Sequence, residues 1–376
     1  MRNNRERFIL LNTVSEIGST RLRRLLEAFG TIERISSATP QALQQVEGIG
    51  PMLSQRIAAA CRDERRLERE LAQATAHGAT ILTLEDAAYP QSLRTIHDPP
   101  LALYVRGTLE SSDAIAVGIV GARRASSYGL QAAQRLGYDL ALRGVTVVSG
   151  LAVGIDGAAH CGALDAGGRT LAVLGSGLAR LYPPEHRELA ERIVAQGAVI
   201  SEYPMETLPL PHNFPRRNRL ISGLSLGAVV VEAGPRSGAL ITADCALEQG
   251  REVFAVPGPI TSVVSQGTHE LLRHGAALVS SVEDILEALR LTPQPVARTA
   301  AREDGAGAQA APGALPDVER RVFTCVEDGE PSYVDAIAAR SGLAVPQVCS
   351  ALLQLELKHL VRQLPGKQFV RAGEIG

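Results

Sequence analysis

The chain has 376 residues, 45% of them hydrophobic and 21% charged, and a formal net charge of −2. That is an ordinary globular balance with room for two or three cores, and it excludes a disordered or fibrous chain. No apolar run approaches the ~18 residues of a membrane span and the start, MRNNRERF, is charged, so neither a span nor a signal peptide is expected.

Five scattered cysteines (Cys61, Cys161, Cys245, Cys325, Cys349) form no CxxC pair and no ligand-like spacing. They read as reduced thiols of a cytoplasmic protein, with no metal site and no cofactor. Of the 38 basic residues only Lys358 and Lys367 are lysine. A GC-rich genome accounts for that preference, yet arginine is also the side chain that grips phosphate with a planar fork. Tryptophan is absent and aromatics are 3% of the chain, so any base stacking must rest on a few Tyr, Phe or Arg planes.

Residues 1–75 read as a small helical domain of the SAM or helix-hairpin-helix kind, with apolar positions at helical spacing in Arg21–Phe29 and Pro51–Leu71. Gly48-Ile49-Gly50 before Pro51 is a tight turn feeding a helix whose first residue needs no N–H. A DNA-phosphate contact and a packing role are both open for it. The earlier copy, Val14–Leu22, keeps Gly18 but has Glu16 in place of the first glycine, and reads as structural. Residues 76–112 read as an irregular bridge marked by Pro90, Pro99 and Pro100, opening a central domain that spans 76–290.

From 113 to 290 strand and helix alternate. Strands are expected at Ala114–Val120, Val145–Ser149, Thr170–Leu174, Ala198–Ser201, Ala228–Glu232, Glu252–Ala255 and Ala277–Val279. Helices of suitable length fill the gaps, which predicts a Rossmann-like α/β domain with a doubly wound, mostly parallel sheet. Residues 291–316, rich in Ala, Pro, Gly and Arg, read as a flexible linker. Residues 317–376 read as a winged helix: a helix-turn-helix over Val334–Leu357, then a wing from Leu360–Leu364 and Lys367–Arg371. Its second helix carries Gln347, Gln354 and Glu356 but no Arg or Lys, which suits protein contact or packing better than duplex reading.

Four strands run into glycine- or arginine-bearing turns: Gly121-Ala122-Arg123-Arg124-Ala125-Ser126, Ser149-Gly150, Gly175-Ser176-Gly177 and Glu232-Ala233-Gly234-Pro235-Arg236-Ser237-Gly238. In a parallel sheet these turns emerge on one edge, a row of anion sites that suits a polyphosphate strand better than one small molecule. Ser126 is placed to cap a helix while Arg123 and Arg124 add charge. Phe214-Pro215-Arg216-Arg217-Asn218-Arg219 crowds three arginines into four residues at a helix start, a repulsion that a bound anion would relieve. Ser237, Gly238 and Thr242 offer hydroxyls and amides for phosphate. The GxGxxG fingerprint, the GK[ST] loop, GxSxG and HExxH are all missing. Asp156 and His160 lie four apart on a helix without a nucleophile, and read as a cap and a packed side chain. No catalytic residue is expected.

GARRASSYG (Gly121–Gly129), SGLAVGIDGAAH (Ser149–His160), LAVLGSGLARLYP (Leu171–Pro183), SEYP (Ser201–Pro204), FPRRNRLISGLS (Phe214–Ser225), VVVEAGPRSGALITA (Val229–Ala243) and VFAVPG (Val253–Gly258) together resemble the DNA-processing protein A family, DprA or Smf. The resemblance covers about 120–280. It implies a cytoplasmic protein that binds single-stranded DNA without sequence preference, assists loading of the RecA recombinase in DNA uptake and recombination, and forms homodimers through the Rossmann-like domain without catalysis. Carried over by position, it implies strand contacts at Gly121, Arg123 and Ser126, at Gly150, Gly175 and Gly177, at Arg216, Asn218 and Arg219, and at Ser237, Gly238 and Thr242. His186 and His269 depart from the family pattern, which usually has Asn at both places. Two other classes compete. A nucleoside-monophosphate phosphoribohydrolase would need a GGxGTxxE-like run where this chain has EAGPRSGALITAD, and a duplex-reading regulator would need a basic recognition helix.

Overall fold

Each central strand is short and buried on both faces, as parallel strands covered by helices must be. The structure is a computed structural model and describes residues 3–291, 316–326, 332–357, 360–364 and 368–371. It contains two compact units, Met1–Ala297 and Arg298–Gly376.

The first unit opens with α1 (Asn4–Asn12), α2 (Ser19–Phe29), α3 (Ile32–Ser37), α4 (Pro40–Leu43), α5 (Pro51–Arg62) and α6 (Glu64–Ala76). Local chemistry sets their starts: Asn3 and Glu6 form a reciprocal capping box on α1, and Thr31, Thr39 and Asp63 cap α3, α4 and α6. Pro51 opens α5 as expected, after a turn in which Gly48 has φ +83°. Arg21 and Arg24 of α2 donate to the carbonyls of Gly48 (3.1 Å) and Glu47 (3.2 Å), so the second hairpin is braced by the first. Ile9 and Leu10 of α1 and Leu67 of α6 are buried together with Tyr104, Ala172 and Val199 of the sheet.

The rest of the unit runs β1 (Ala79–Thr83), α7 (Gln91–Arg94), β2 (Ala102–Gly107), β3 (Ala116–Val120), α8 (Ser127–Leu142), β4 (Thr146–Ser149), α9 (Ile155–Asp165), β5 (Thr170–Val173), α10 (Arg187–Gln196), β6 (Ala198–Ser201), α11 (Asn213–Gly223), β7 (Gly227–Val230), α12 (Gly238–Glu248), β8 (Glu252–Ala255), α13 (Gln266–Arg273), β9 (Ala277–Leu278) and α14 (Val282–Ala288). The nine strands form one sheet in the order β1-β2-β6-β5-β4-β3-β7-β8-β9, parallel from β6 to β9. Side chains alternate between two cores. Val117 and Ile119 of β3 bury with Ala133, Leu136 and Leu140 of α8, while Ala116 and Val120 bury with Leu220 and Ile221 of α11 and Ala239 and Ala243 of α12.

The expected strands and the doubly wound, mostly parallel sheet are present. The stretch 76–112 is a correction: it holds β1 and β2, which extend the sheet antiparallel to each other and to β6. The first four residues of β2 are all buried, so that strand shows no inside–outside alternation, and its flanking prolines disguised it as loop.

The second unit contains α15 (Asp317–Thr324), β10 (Ser332–Tyr333), α16 (Val334–Ser341), α17 (Val345–Leu357), β11 (Val361–Leu364) and β12 (Gln368–Arg371), with its strands in the order β10-β12-β11. This is the expected winged helix. Gly342 ends α16 in the left-handed conformation at φ +67°, and Val348, Ala351, Leu352 and Leu355 of α17 face its core. Gln347 and Gln354 are exposed on α17. The linker reading at 291–316 and the wing tip at Pro365–Lys367 lie almost entirely or entirely outside the described residues.

Candidate nucleic-acid interface

Chain direction along the sheet reverses around β3. The chain first moves outward through β4, β5 and β6, then returns through α11 to place β7 on the other side of β3. Loops diverge there at the carboxyl ends of the strands and open a crevice. A cleft of about 520 Å³ occupies it. Its walls are the end of β3 with Gly121 and Arg123, the start of α9 with Asp156, the α11 stripe Phe214, Arg217, Asn218 and Ile221, and the start of α12 with Ser237, Gly238 and Thr242. The four turns do share one edge of the sheet, and half of the expected contact residues line this cleft.

The other half are placed differently, for identifiable reasons. At Gly150, Gly175 and Gly177 protein atoms already crowd the place a Cβ would take. A Cβ at Gly150 would lie 2.5 Å from the Arg217 guanidinium, and one at Gly175 would lie 2.7 Å from the Phe214 ring. A Cβ at Gly177 would fall on the carbonyl oxygens of Pro204 and Met205. Gly121, although in the cleft wall, is also tight: its Cβ would stand 2.6 Å from Ile155.

Ser126 caps α8 as expected, its Oγ accepting from Gly129 N at 3.0 Å. An anion at that helix end is already supplied by the protein. The buried carboxylate of Glu232, at the end of β7, accepts from Ser126 N at 2.9 Å and from Ser126 Oγ. The N-terminus of α12 differs. Ser237 Oγ accepts from Ala239 N, Asn218 Nδ2 donates to Gly238 O at 3.0 Å, and nothing lies within 4 Å of a Cβ built on Gly238. That helix end is held rigid and left open to the cleft, with exposed Arg236 beside it.

The three arginines of α11 part company because 3.6 residues per turn aim them in different directions. Arg217 is 4% exposed and donates to Gly150 O at 2.8 Å and to Val173 O, so it acts as an internal strut at the cleft wall. It faces Asp156, whose Oδ2 accepts from Gly150 N at 3.1 Å and Ala152 N at 3.4 Å. Burial pushes Arg217 down to about 10 and Asp156 upward, and each charge opposes the shift in the other. Arg219 pairs with Glu202 and with Asp98 (2.9 Å), and it lines, with exposed Arg216, a separate cleft of about 500 Å³. Arg219 is therefore met by protein carboxylates and Arg217 is drawn inward near Asp156, which reduces the repulsion inferred from sequence. Arg123 and Arg124 remain exposed, and the guanidinium of Arg123 sits 5.3 Å from the centroid of the Phe214 ring.

Sequence reasoning missed the aromatic wall. Tyr182 and Phe214 meet at the cleft with centroids 5.7 Å apart, and Tyr182 is 42% exposed. The available signal was their scarcity: both stand beside glycine or arginine motifs in a chain with few aromatics. Asp156 was also missed as a wall residue. It does cap the turn before α9, and no hydrogen bond joins it to His160.

His160 is fully buried, its Nδ1–H donating to Thr170 Oγ1 at 2.7 Å. Burial, with His186 and Arg217 adding to it, pushes His160 from 6.5 down to about 3. The folded chain therefore stays unprotonated there while the unfolded chain takes up a proton below about 6.5, and stability falls as pH drops through that window. About 1 kcal/mol should be lost between pH 7 and 5.5 from this residue. Urea midpoints of His160→Gln should show that much less acid sensitivity, and an unchanged acid slope would refute the assignment. The two departures from the family pattern are structural here: His186 Nδ1–H donates to Leu151 O (2.9 Å) and His269 Nε2–H to Gly258 O (3.0 Å).

Comparison with known proteins gives concordant results. The family model described as DNA recombination-mediator protein A matches residues 80–290, the DprA winged helix domain matches 306–367, and a SAM-like helix-hairpin-helix tandem matches 8–63. Protein Smf of Escherichia coli K12 is 44% identical over 76% of this chain and 76% of its own length. Protein Smf of Synechocystis is 36% identical over 95% of this chain and 96% of its own. The X-ray structure of DNA processing protein A from Streptococcus pneumoniae superposes with a TM-score of 0.67 at 33% identity, covering 76% of this chain and 98% of that one. A Helicobacter pylori structure, described as showing the single-stranded DNA binding mode of its DNA processing protein A, has a TM-score of 0.51 at 30% identity, covering 57% and 97%.

Proposed function

The chain belongs to the DNA recombination-mediator protein A (DprA/Smf) family, and on that basis we propose that its switch-point cleft binds single-stranded DNA across many sequences for delivery to recombination. One observation carries the reading: an open helix N-terminus, the exposed Arg123 and an aromatic wall converge on a single cleft. The α12 amides with Arg123, Arg124 and Arg236 suit phosphates, and the Tyr182–Phe214 wall suits bases, whose π-faces all stack. The Helicobacter pylori relative supports single strands as the ligand. Family membership is the basis for the RecA recombinase as recipient of the strand and for a homodimer as the working form. Arg217 donates to Gly150 O, Val173 O and Asn218 Oδ1 and is committed to the fold, which supports a binding role over bond cleavage. No helix among the described residues is long and apolar enough to cross a membrane.

The test is fluorescence anisotropy with a labelled oligothymidylate and a duplex of equal length at about 50 and 200 mM salt. The single strand should bind more tightly, with a log–log salt slope of roughly −0.7 per neutralised phosphate. Arg123→Ala should weaken binding about threefold to fivefold and flatten the slope by about 0.7, as loss of one phosphate contact requires. Equal affinity for the duplex, together with an unchanged slope in the variant, would overturn the reading.

A further inference from the structure

The cleft is divided by charge. Its rim carries Arg123 and, nearby, Arg124 and Arg236, all exposed. Its floor carries a carboxylate beside the buried guanidinium of Arg217: Asp156 lines the cleft while being only 6% exposed. The hydrogen bonds that hold this carboxylate converge on Oδ2, from Gly150 N and Ala152 N, and Oδ1 receives none from the described residues. A carboxylate oxygen left without a donor accepts hydrogen bonds, which a base edge supplies and a phosphodiester cannot, so a strand lying here keeps its phosphates at the arginine rim and turns a base inward. The half-buried Phe214 ring, with Tyr182 tilted against it, provides the plane for that base.

Resting on the single-strand reading above, we propose that Asp156 selects the inward base, accepting hydrogen bonds from its Watson–Crick edge through Oδ1. The bases differ sharply toward such an acceptor. Guanine presents two adjacent donors, N1–H and the 2-amino group. Adenine and cytosine present one amino group beside a ring-nitrogen acceptor. Thymine presents a single N3–H flanked by two carbonyl oxygens, which the carboxylate repels. The cleft therefore ranks guanine first and thymine last at one position of an otherwise sequence-tolerant track.

The experiment is titration of the full chain with dGMP, dAMP, dCMP and TMP, followed by ligand-observed NMR at neutral pH. Affinity for dGMP should exceed that for TMP by about tenfold, the usual worth of a well-made base contact. Asp156→Asn keeps an oxygen for the Gly150 and Ala152 amides, and should shrink the ratio to within about twofold, mainly through loss of dGMP binding. Equal binding of all four nucleotides, no binding of any, or a variant that weakens all four by one factor would each overturn the proposal. A purely structural role lowers every affinity together and leaves the ratio alone. If the variant fails to fold, the wild-type ratio decides by itself. Oligothymidylate binding without a mononucleotide preference defeats only this inference. A dGMP preference without strand binding defeats the strand reading and leaves the base selectivity standing.

Discussion

Arg217→Met should cost the folded protein about 2–5 kcal/mol, the loss expected when buried carbonyls are left without their donor and a nearby buried carboxylate without its counter-charge. The methionine fills similar space, so the cost comes from what the guanidinium leaves behind. Asp156 becomes a buried charge without its cation, and the carbonyls of Gly150 and Val173 lose their donor. Arg217→Lys should recover only part of the loss, because one ammonium cannot span two carbonyls as the fork does. Arg217→Met combined with Asp156→Asn should be more stable than the sum of the single changes, since the stranded charge is gone. Urea unfolding of the four proteins measures this directly. A stable Arg217→Met protein that had lost strand binding would show that the residue contacts DNA and does not brace the fold.

Phe214→Ala should weaken single-strand binding by roughly 5- to 150-fold, the equivalent of about 1–3 kcal/mol for one stacked base. Its signature separates it from an arginine change: the salt slope stays at the wild-type value, because no phosphate contact is lost. Phe214→Tyr should bind nearly as the native chain does. Phe214→Leu should fold well yet bind weakly, since it retains apolar volume without a π-face. Thermal melting alongside anisotropy keeps folding and binding apart. Native affinity in the alanine variant would remove the aromatic wall from the interface.

Part of the site is legible in the sequence. Gly121, Arg123, Asn218, Ser237, Gly238 and Thr242 were expected at the interface and line the cleft, because strand ends in a parallel sheet project their turns to one edge. Ser126 was legible as a helix cap but not as a closed one. Its amide is taken by Glu232, more than a hundred residues away in the chain. The arginine run of α11 was legible as charge and misread as a unit. Leu220 and Ile221 fix that helix against the sheet, and its turn then buries Arg217, pairs Arg219 and leaves Arg216 outside.

By itself the sequence determined the alternating α/β order, the winged helix, the turns at strand ends and the family, since these depend on spacing along one segment at a time. Tertiary structure decided which charges are spent inside the fold, which glycines make room for a neighbouring side chain, and where Tyr182, Phe214 and Asp156 meet. Those outcomes depend on segments distant in sequence competing for the same few ångströms, and a linear pattern carries no record of which neighbour arrives.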